Sequence, residues 1–301
     1  MSVVIPTYRH RDYVAAALAS VEAQTFRDFE VIVVNDGSPD DTEAVLRPWI
    51  ERGAICYVAQ ENAGQASARN RGIGLARGEF VALLDDDDTW PGDKLAWQVE
   101  FLRANPDYAV VAGAAEVMDE TGAALRRTPP LGDVAFDQLI VANCMISPGQ
   151  ALVRRSVLDG AGAFDPAVWG ADDWDLWLRI VHVGKIRVTD TVALRYRKHA
   201  GNASGDVARM LRNCILVVER NVGRADAARR NALRRAAYRY VFGYAGTRLI
   251  ASAAHDFAAW RVGRGLARLS ALFQFTGPAL RDPWLIRAIA AALVRGRRAA
   301  E

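Results

Sequence analysis

Two runs of carboxylates carry the most chemistry in this sequence. Asp85, Asp86, Asp87 and Asp88 follow the apolar residues 80–84, and Asp172 and Asp173 precede Trp174-Asp175-Leu176-Trp177. Four adjacent carboxylates repel one another, and a hard divalent cation relieves that repulsion. Mg²⁺ or Mn²⁺ prefers oxygen ligands, commonly one or two carboxylates with phosphate oxygens. An acidic, solvated turn capping the next helix, with Pro91 near its start, is the other reading of the same residues. If the extended backbone persists, alternation puts Asp85 and Asp87 on one side and Asp86 and Asp88 on the other. Asp172 and Asp173 stand at the amino end of a segment whose helical apolar face is Trp174, Trp177, Leu178 and Val181. The helix dipole alone also favours carboxylates there.

The elements that must position these residues follow from the apolar pattern. Residues 2–5, 30–34 and 80–84 are continuous apolar runs of the kind buried on both faces of a parallel sheet, and 55–58 is a fourth strand. Helical spacing follows Asp12, runs from Asp40 or Asp41 to about Arg52, and covers 64–77. Strand alternating with helix predicts a Rossmann-like, mostly parallel α/β sheet flanked by helices, with right-handed crossovers. Ligands of such sheets sit beyond the carboxyl ends of the strands. Three polar tips fall there: Pro6-Thr7-Tyr8, Asn35-Asp36-Gly37-Ser38 and the four-aspartate run. Further on, 94–105 reads as helix, 109–117, 148–153 and 192–196 as extended, and everything after Gly205 as a helical C-terminal extension. The predicted division is therefore 1–204 and 205–301.

Composition excludes several classes. The first strand runs into Pro-Thr-Tyr without the glycine-rich turn of a dinucleotide fold, and no P-loop is present. Three widely spaced cysteines make no disulfide framework or metal knuckle, and with no visible signal peptide a cytoplasmic location is expected. No apolar run reaches membrane-spanning length. The net charge of +3 conceals an asymmetry: residues 205–301 hold eighteen Arg, no Lys and six acids, net +12, leaving 1–204 at −9. Residues 284–298 form a basic amphipathic pattern suited to an anionic membrane surface, or to packing or an oligomer contact. Those Arg residues alternate with Ala and Leu and accompany no nucleic-acid motif, so nucleic acid is not the expected partner.

Five segments taken together, VVIPTYRHRDYVAAALASVEAQTF, FEVIVVNDGSPDDT, ENAGQASARNRGIGLARGEFVALLDDDDTW, GADDWDLWLRI and YRKHAGNAS, resemble family 2 of the inverting, nucleotide-sugar-dependent glycosyltransferases, over about residues 2–204. The resemblance implies a glycosyltransferase A-type fold and a metal-dependent transfer from a nucleoside diphosphate sugar, a UDP-sugar on family grounds, to a saccharide or lipid-linked acceptor of the cell envelope. It implies that Pro6, Thr7 and Tyr8 hold the base, that Asp36 accepts a hydrogen bond from uracil or ribose, and that Arg69 supports the base and Asp36. By the same resemblance Asp85 and Asp86 lie near the ribose, Asp87 binds Mn²⁺ or Mg²⁺, and His199 is a further ligand. Asp173 is then the general base, Asp172 stands where the family usually has Glu, and Arg197 and Ser204 help hold the diphosphate. Residues 119–143 and the helical tail are left to decide the acceptor. A non-catalytic nucleotide-sugar or glycan-binding protein on the same fold is the alternative, because activity lives in the site and not in the fold.

Overall fold

The computed structural model describes residues 1–199, 201–202, 206–258 and 260–276. The chain divides into two compact units. The first takes Met1–Phe136, Cys144–Pro166 and Asp172–Ala200; the second takes Asp137–Asn143, Ala167–Ala171 and Gly201–Glu301.

The first unit opens with β1 (Ser2–Thr7), α1 (Val14–Glu22), β2 (Glu30–Asn35), α2 (Thr42–Glu51), β3 (Cys56–Ala59), α3 (Gln65–Leu75) and β4 (Phe80–Leu83). Strands β3, β2, β1 and β4 lie side by side in that order, all parallel, as strands joined by helices must. Their continuous apolar runs are buried because helices cover both faces: Val3, Ile5, Val33, Phe80 and Ala82 pack with Val14, Leu18 and Val21 of α1. Helix α3 lies hard against β1, since a Cβ on Gly72 would stand 2.3 Å from Val4 Cγ1. Glycine at 72 permits this approach, which fixes where Arg69, one turn earlier, enters the site.

After α4 (Lys94–Ala104) come β5 (Tyr108–Met118), β6 (Ala124–Arg127), β7 (Gly132–Asp133), α5 (Phe136–Val141), β8 (Ala151–Arg154), α6 (Arg155–Ala161), α7 (Asp172–Ile180) and β9 (Lys185–Arg197). Strand β8 enters antiparallel between β4 and β5, and β9 runs parallel to β5. The result is a mixed sheet ordered β3-β2-β1-β4-β8-β5-β9-β7, with β6 paired to β5. Strand β9 begins seven residues earlier than its apolar run 192–196, because Lys185 already pairs with Tyr108. Polar Thr189, Asp190 and Thr191, around a register shift, hide that start from the sequence. Strand β6 is exposed throughout and has no apolar face to signal it.

The described part of the second unit is helical: α8 (Val207–Asn221), α9 (Arg230–Val241), a π-helical turn at Phe242–Gly246, α10 (Thr247–Ala258) and α11 (Val262–Thr276). Asp206 caps α8 by accepting from the Arg209 amide at 3.2 Å. Leu211, Val217, Val218, Ala237, Val241, Phe242 and Ile250 are buried within it. No described helix is long and apolar enough to cross a membrane. Ser204 and the basic segment 284–298 lie outside the described residues.

Candidate active site

The tips of β1 and β2 meet as parallel neighbours, with Thr7 opposite Asn35. Pro6 and Thr7 are buried in the strand, and Tyr8 emerges from it, 37% exposed, with the Arg9 guanidinium 5.2 Å from its ring centre. Asp36 is buried just beyond β2. Its Oδ1 accepts from Gln60 Nε2 at 2.7 Å and the Ala63 amide at 2.9 Å, and its Oδ2 from the Gly64 amide at 2.8 Å. Asp36 therefore ties the β2 tip to the loop that starts α3. Gly37 makes this closure feasible: its φ is +71°, and a Cβ there would come within 2.9 Å of the Asn62 nitrogen.

The extended geometry of β4 does not persist into the aspartates. The Leu84 amide still bonds Val4 O at 3.0 Å, but the Asp88 amide turns back to Asp85 O at 3.1 Å. The expected two-sided alternation is thereby replaced by four separate directions. Asp85 accepts from Arg69 Nη2 at 2.7 Å, Gln65 Nε2 at 3.1 Å and Ser147 Oγ at 3.3 Å. Asp86 Oδ1 takes His10 Nδ1 at 2.7 Å while its Oδ2 takes the Tyr8 amide at 3.2 Å. Asp87 Oδ2 lies 2.9 Å from His199 Nε2. Asp88 Oδ1 accepts from the Arg197 amide at 2.8 Å, and its other oxygen is buried without a hydrogen-bond partner. Burial, then the charges of Asp87 and Asp85, push the Asp88 carboxyl well above the ordinary range.

Two histidines face this tip. His10, from the loop after β1, and His199, past the end of β9, stand edge to face with centroids 5.4 Å apart, and Tyr13 packs against both. Ligand atoms of His10, Asp87 and His199 all lie within 4.8 Å of one another. One carboxylate oxygen and two imidazole nitrogens at that spacing fit a divalent cation of borderline character. Burial works against charge on His10, but the hydrogen bond and charge of Asp86, with those of Asp87 and Asp85, hold its pKa up at about 9. A bound cation takes imidazole in its neutral form, so binding there releases a proton. Arg197, expected at the diphosphate, donates from Nε to Asp87 O at 3.1 Å and lies 5.3 Å from the Tyr13 ring.

Asp172 and Asp173 open α7, as their helix-start pattern predicts. Asp172 is buried and receives Arg69 Nη1 at 3.0 Å; Asp173 is half-buried and accepts the Trp174 amide at 2.7 Å. Burial, then the charge of Asp173, push the Cys144 thiol up to about 12. The Arg69 position differs from the expectation that it supports Asp36. Its guanidinium spans Asp85 and Asp172 and stacks 5.1 Å from the Phe164 ring. Asp36 is already supplied by the loop amides, whereas Asp85 and Asp172 are carboxylates that need a cation. Burial opposes charge on Arg69, but the charges of Asp85 and Asp172 keep it firmly protonated. Asn70 fixes the loop before α7 through a reciprocal pair with the Phe164 backbone at 2.8 and 2.9 Å. Arg179 donates to Asp175 and to the carbonyls of Gly162 and Ala163.

Sequence reasoning missed His10 and Ser147. His10 sits in Arg9-His10-Arg11, a basic triplet that reads as surface charge; its only signal was its place at a strand tip. The glycosyl transferase family 2 profile matches residues 2–161. The chain belongs to that family. An uncharacterized glycosyltransferase of Rickettsia felis is 30% identical over 223 residues, covering 71% of this chain and 36% of that protein, so the chain spans about a third of that relative's length. The Escherichia coli UDP-Glc:alpha-D-GlcNAc-diphosphoundecaprenol beta-1,3-glucosyltransferase WfaP is 27% identical over 207 residues, covering 68% of this chain and 80% of WfaP. Among solved structures, residues 1–349 of Staphylococcus aureus TarS in complex with UDP-GlcNAc match with a TM-score of 0.70 at 20% identity, over all of this chain and 90% of that one. The family fold is therefore the glycosyltransferase A-type α/β fold expected from the strand-tip motifs.

Proposed function

We propose that this family 2 chain is a metal-dependent, inverting glycosyltransferase. It moves a sugar from a UDP-sugar to a hydroxyl of a lipid-linked saccharide in cell-envelope synthesis. The observation that carries this reading is the Arg69 guanidinium, which holds Asp85 of the β4 tip at 2.7 Å and Asp172, neighbour of Asp173, at 3.0 Å. One buried cation thus fixes the expected diphosphate side and the expected proton acceptor relative to each other. The donor names of WfaP and TarS support a uridine nucleotide, and the acceptor name of WfaP supports a polyprenyl-diphosphate-linked sugar.

The residues divide the work. Tyr8 stacks on the base beside Asp36. Asp87 and His199 would hold Mn²⁺ or Mg²⁺, which when bound supplies Lewis-acid stabilisation of the departing diphosphate. Asp173 hydrogen-bonds the acceptor hydroxyl and takes its proton as that oxygen bonds the anomeric carbon. The bond from that carbon to the β-phosphate oxygen breaks on the opposite face, so a single displacement inverts the configuration. The net +12 of residues 205–301 draws the protein to the anionic cytoplasmic surface where a lipid-linked acceptor resides.

The test is a panel of nucleotide sugars offered with and without Mn²⁺ and a polyprenyl-diphosphate monosaccharide, with nucleotide release and product anomer followed by NMR. Release of UDP that needs the divalent cation, with inverted product, is the expected result. Product of retained configuration, or equal turnover in excess chelator, would overturn the mechanism.

A further inference from the structure

We infer that His10 is a direct ligand of the divalent cation and Asp86 its orienting carboxylate, so that the site selects Mn²⁺ over Mg²⁺. The inference rests on the reading that a cation binds at Asp87. It adds a ligand and a selectivity that the aspartate motif and His199 do not supply.

Three observations lead there. Both oxygens of Asp86 already accept hydrogen bonds, from His10 Nδ1 at 2.7 Å and from the Tyr8 amide at 3.2 Å. Asp86 is also 95% buried, so it faces the β1 loop and leaves cation binding to its neighbour Asp87. A carboxylate that holds one nitrogen of an imidazole fixes its tautomer and raises the basicity of the other, the usual support for a metal-ligating histidine. With Nδ1 engaged, Nε2 is the nitrogen left for a metal, and a ring nitrogen of His10 lies within 4.8 Å of ligand atoms of Asp87 and His199. The backbone is strained to deliver that ring: Arg9, immediately before it, has φ +62°, uncommon outside glycine, and its amide is anchored by Ser38 Oγ at 3.2 Å.

The donor set then decides the metal. Mg²⁺ takes oxygen ligands in a near-ideal octahedron and is poorly served by imidazole. Two imidazoles beside one carboxylate suit the later first-row ions best, and Mn²⁺, itself a first-row transition ion, takes nitrogen donors more readily than Mg²⁺. If His10 serves only to pack against Tyr13 and pair with Asp86, the cation sees a single histidine and little selectivity arises.

Electron spin-echo modulation on the Mn²⁺-loaded full chain counts coordinated imidazoles without any substitution. Two sets of nitrogen couplings are expected; one set overturns the inference and leaves metal dependence through Asp87 and His199 standing. Mn²⁺ and Mg²⁺ titrations of Asp86→Asn and His10→Phe, with circular dichroism as the check on folding, give the second readout. Asp86→Asn should weaken Mn²⁺ binding about 10–100-fold, and His10→Phe should weaken it at least as much and lower the Mn²⁺-to-Mg²⁺ affinity ratio. A folded His10→Phe that keeps the wild-type affinity and ratio overturns the inference. No Mn²⁺ binding by the wild-type chain overturns it together with the metal dependence proposed above.

Discussion

The two aspartate runs have similar composition and opposite fates. At the β4 tip the backbone turns after Leu84, and four carboxylates point to four partners: Arg69, His10, His199 and the Arg197 amide. At the start of α7 the helix keeps Asp172, Asp173 and Asp175 on successive positions, where Arg69 takes the first and Arg179 the third. Asp173, between them, is half-buried and accepts the Trp174 amide at 2.7 Å. A strand-end turn gathers loops from several strands around its carboxylates; a helix start holds its carboxylates on neighbouring positions of one element. Backbone conformation, and not the number of aspartates, separates the two environments.

Substitution should sharpen that contrast. Asp173→Asn is expected to lower turnover by about 10²–10⁴-fold, the usual contribution of a general base, with donor affinity by calorimetry within a few-fold of wild type. Near-normal transfer by Asp173→Asn would dissolve the distinction between the runs. Arg69→Met should cost about 3–5 kcal/mol in urea unfolding, because it removes the cation shared by the buried Asp172 and the half-buried Asp85. Arg179→Met, which removes only the Asp175 pair and loop carbonyl bonds, should cost about 1–3 kcal/mol. A larger loss for Arg179 than for Arg69 would place the structural burden on α7 alone.

The smallest effect concerns Asp88. Its carboxyl is raised in the folded chain, so the folded state holds more protons than the unfolded one above the ordinary aspartate range. Stability attributable to this group is full at low pH and is lost as pH rises from about 4, the unfolded value, towards the folded pKa. Asp88→Asn keeps the acceptor for the Arg197 amide and removes that loss. Its melting temperature should fall less than that of wild type between mildly acidic and neutral pH. Parallel melting curves would remove Asp88 from the account of the tip.

Much of this was legible in the residues. The apolar runs at 2–5, 30–34 and 80–84 declared buried parallel strands, and Asp172 and Asp173 declared a helix start, because both patterns rest on local sterics and burial. The exposed β6 and the polar opening of β9 were not legible, since their pairing partners, not their side chains, make them strands. His10 was hidden for the same reason: in sequence it is one more cation between two arginines.

Strand–helix alternation and the three polar tips can be read along the chain, since each depends on neighbours a few residues away, and the order of five such segments carries the family. Only the packed chain settles which aspartate meets which partner. Arg69 reaches Asp172 across 103 positions and His199 reaches Asp87 across 112. Electrostatic pairing over such separations depends on where the sheet delivers each tip, a property of the packed chain and of no single stretch within it.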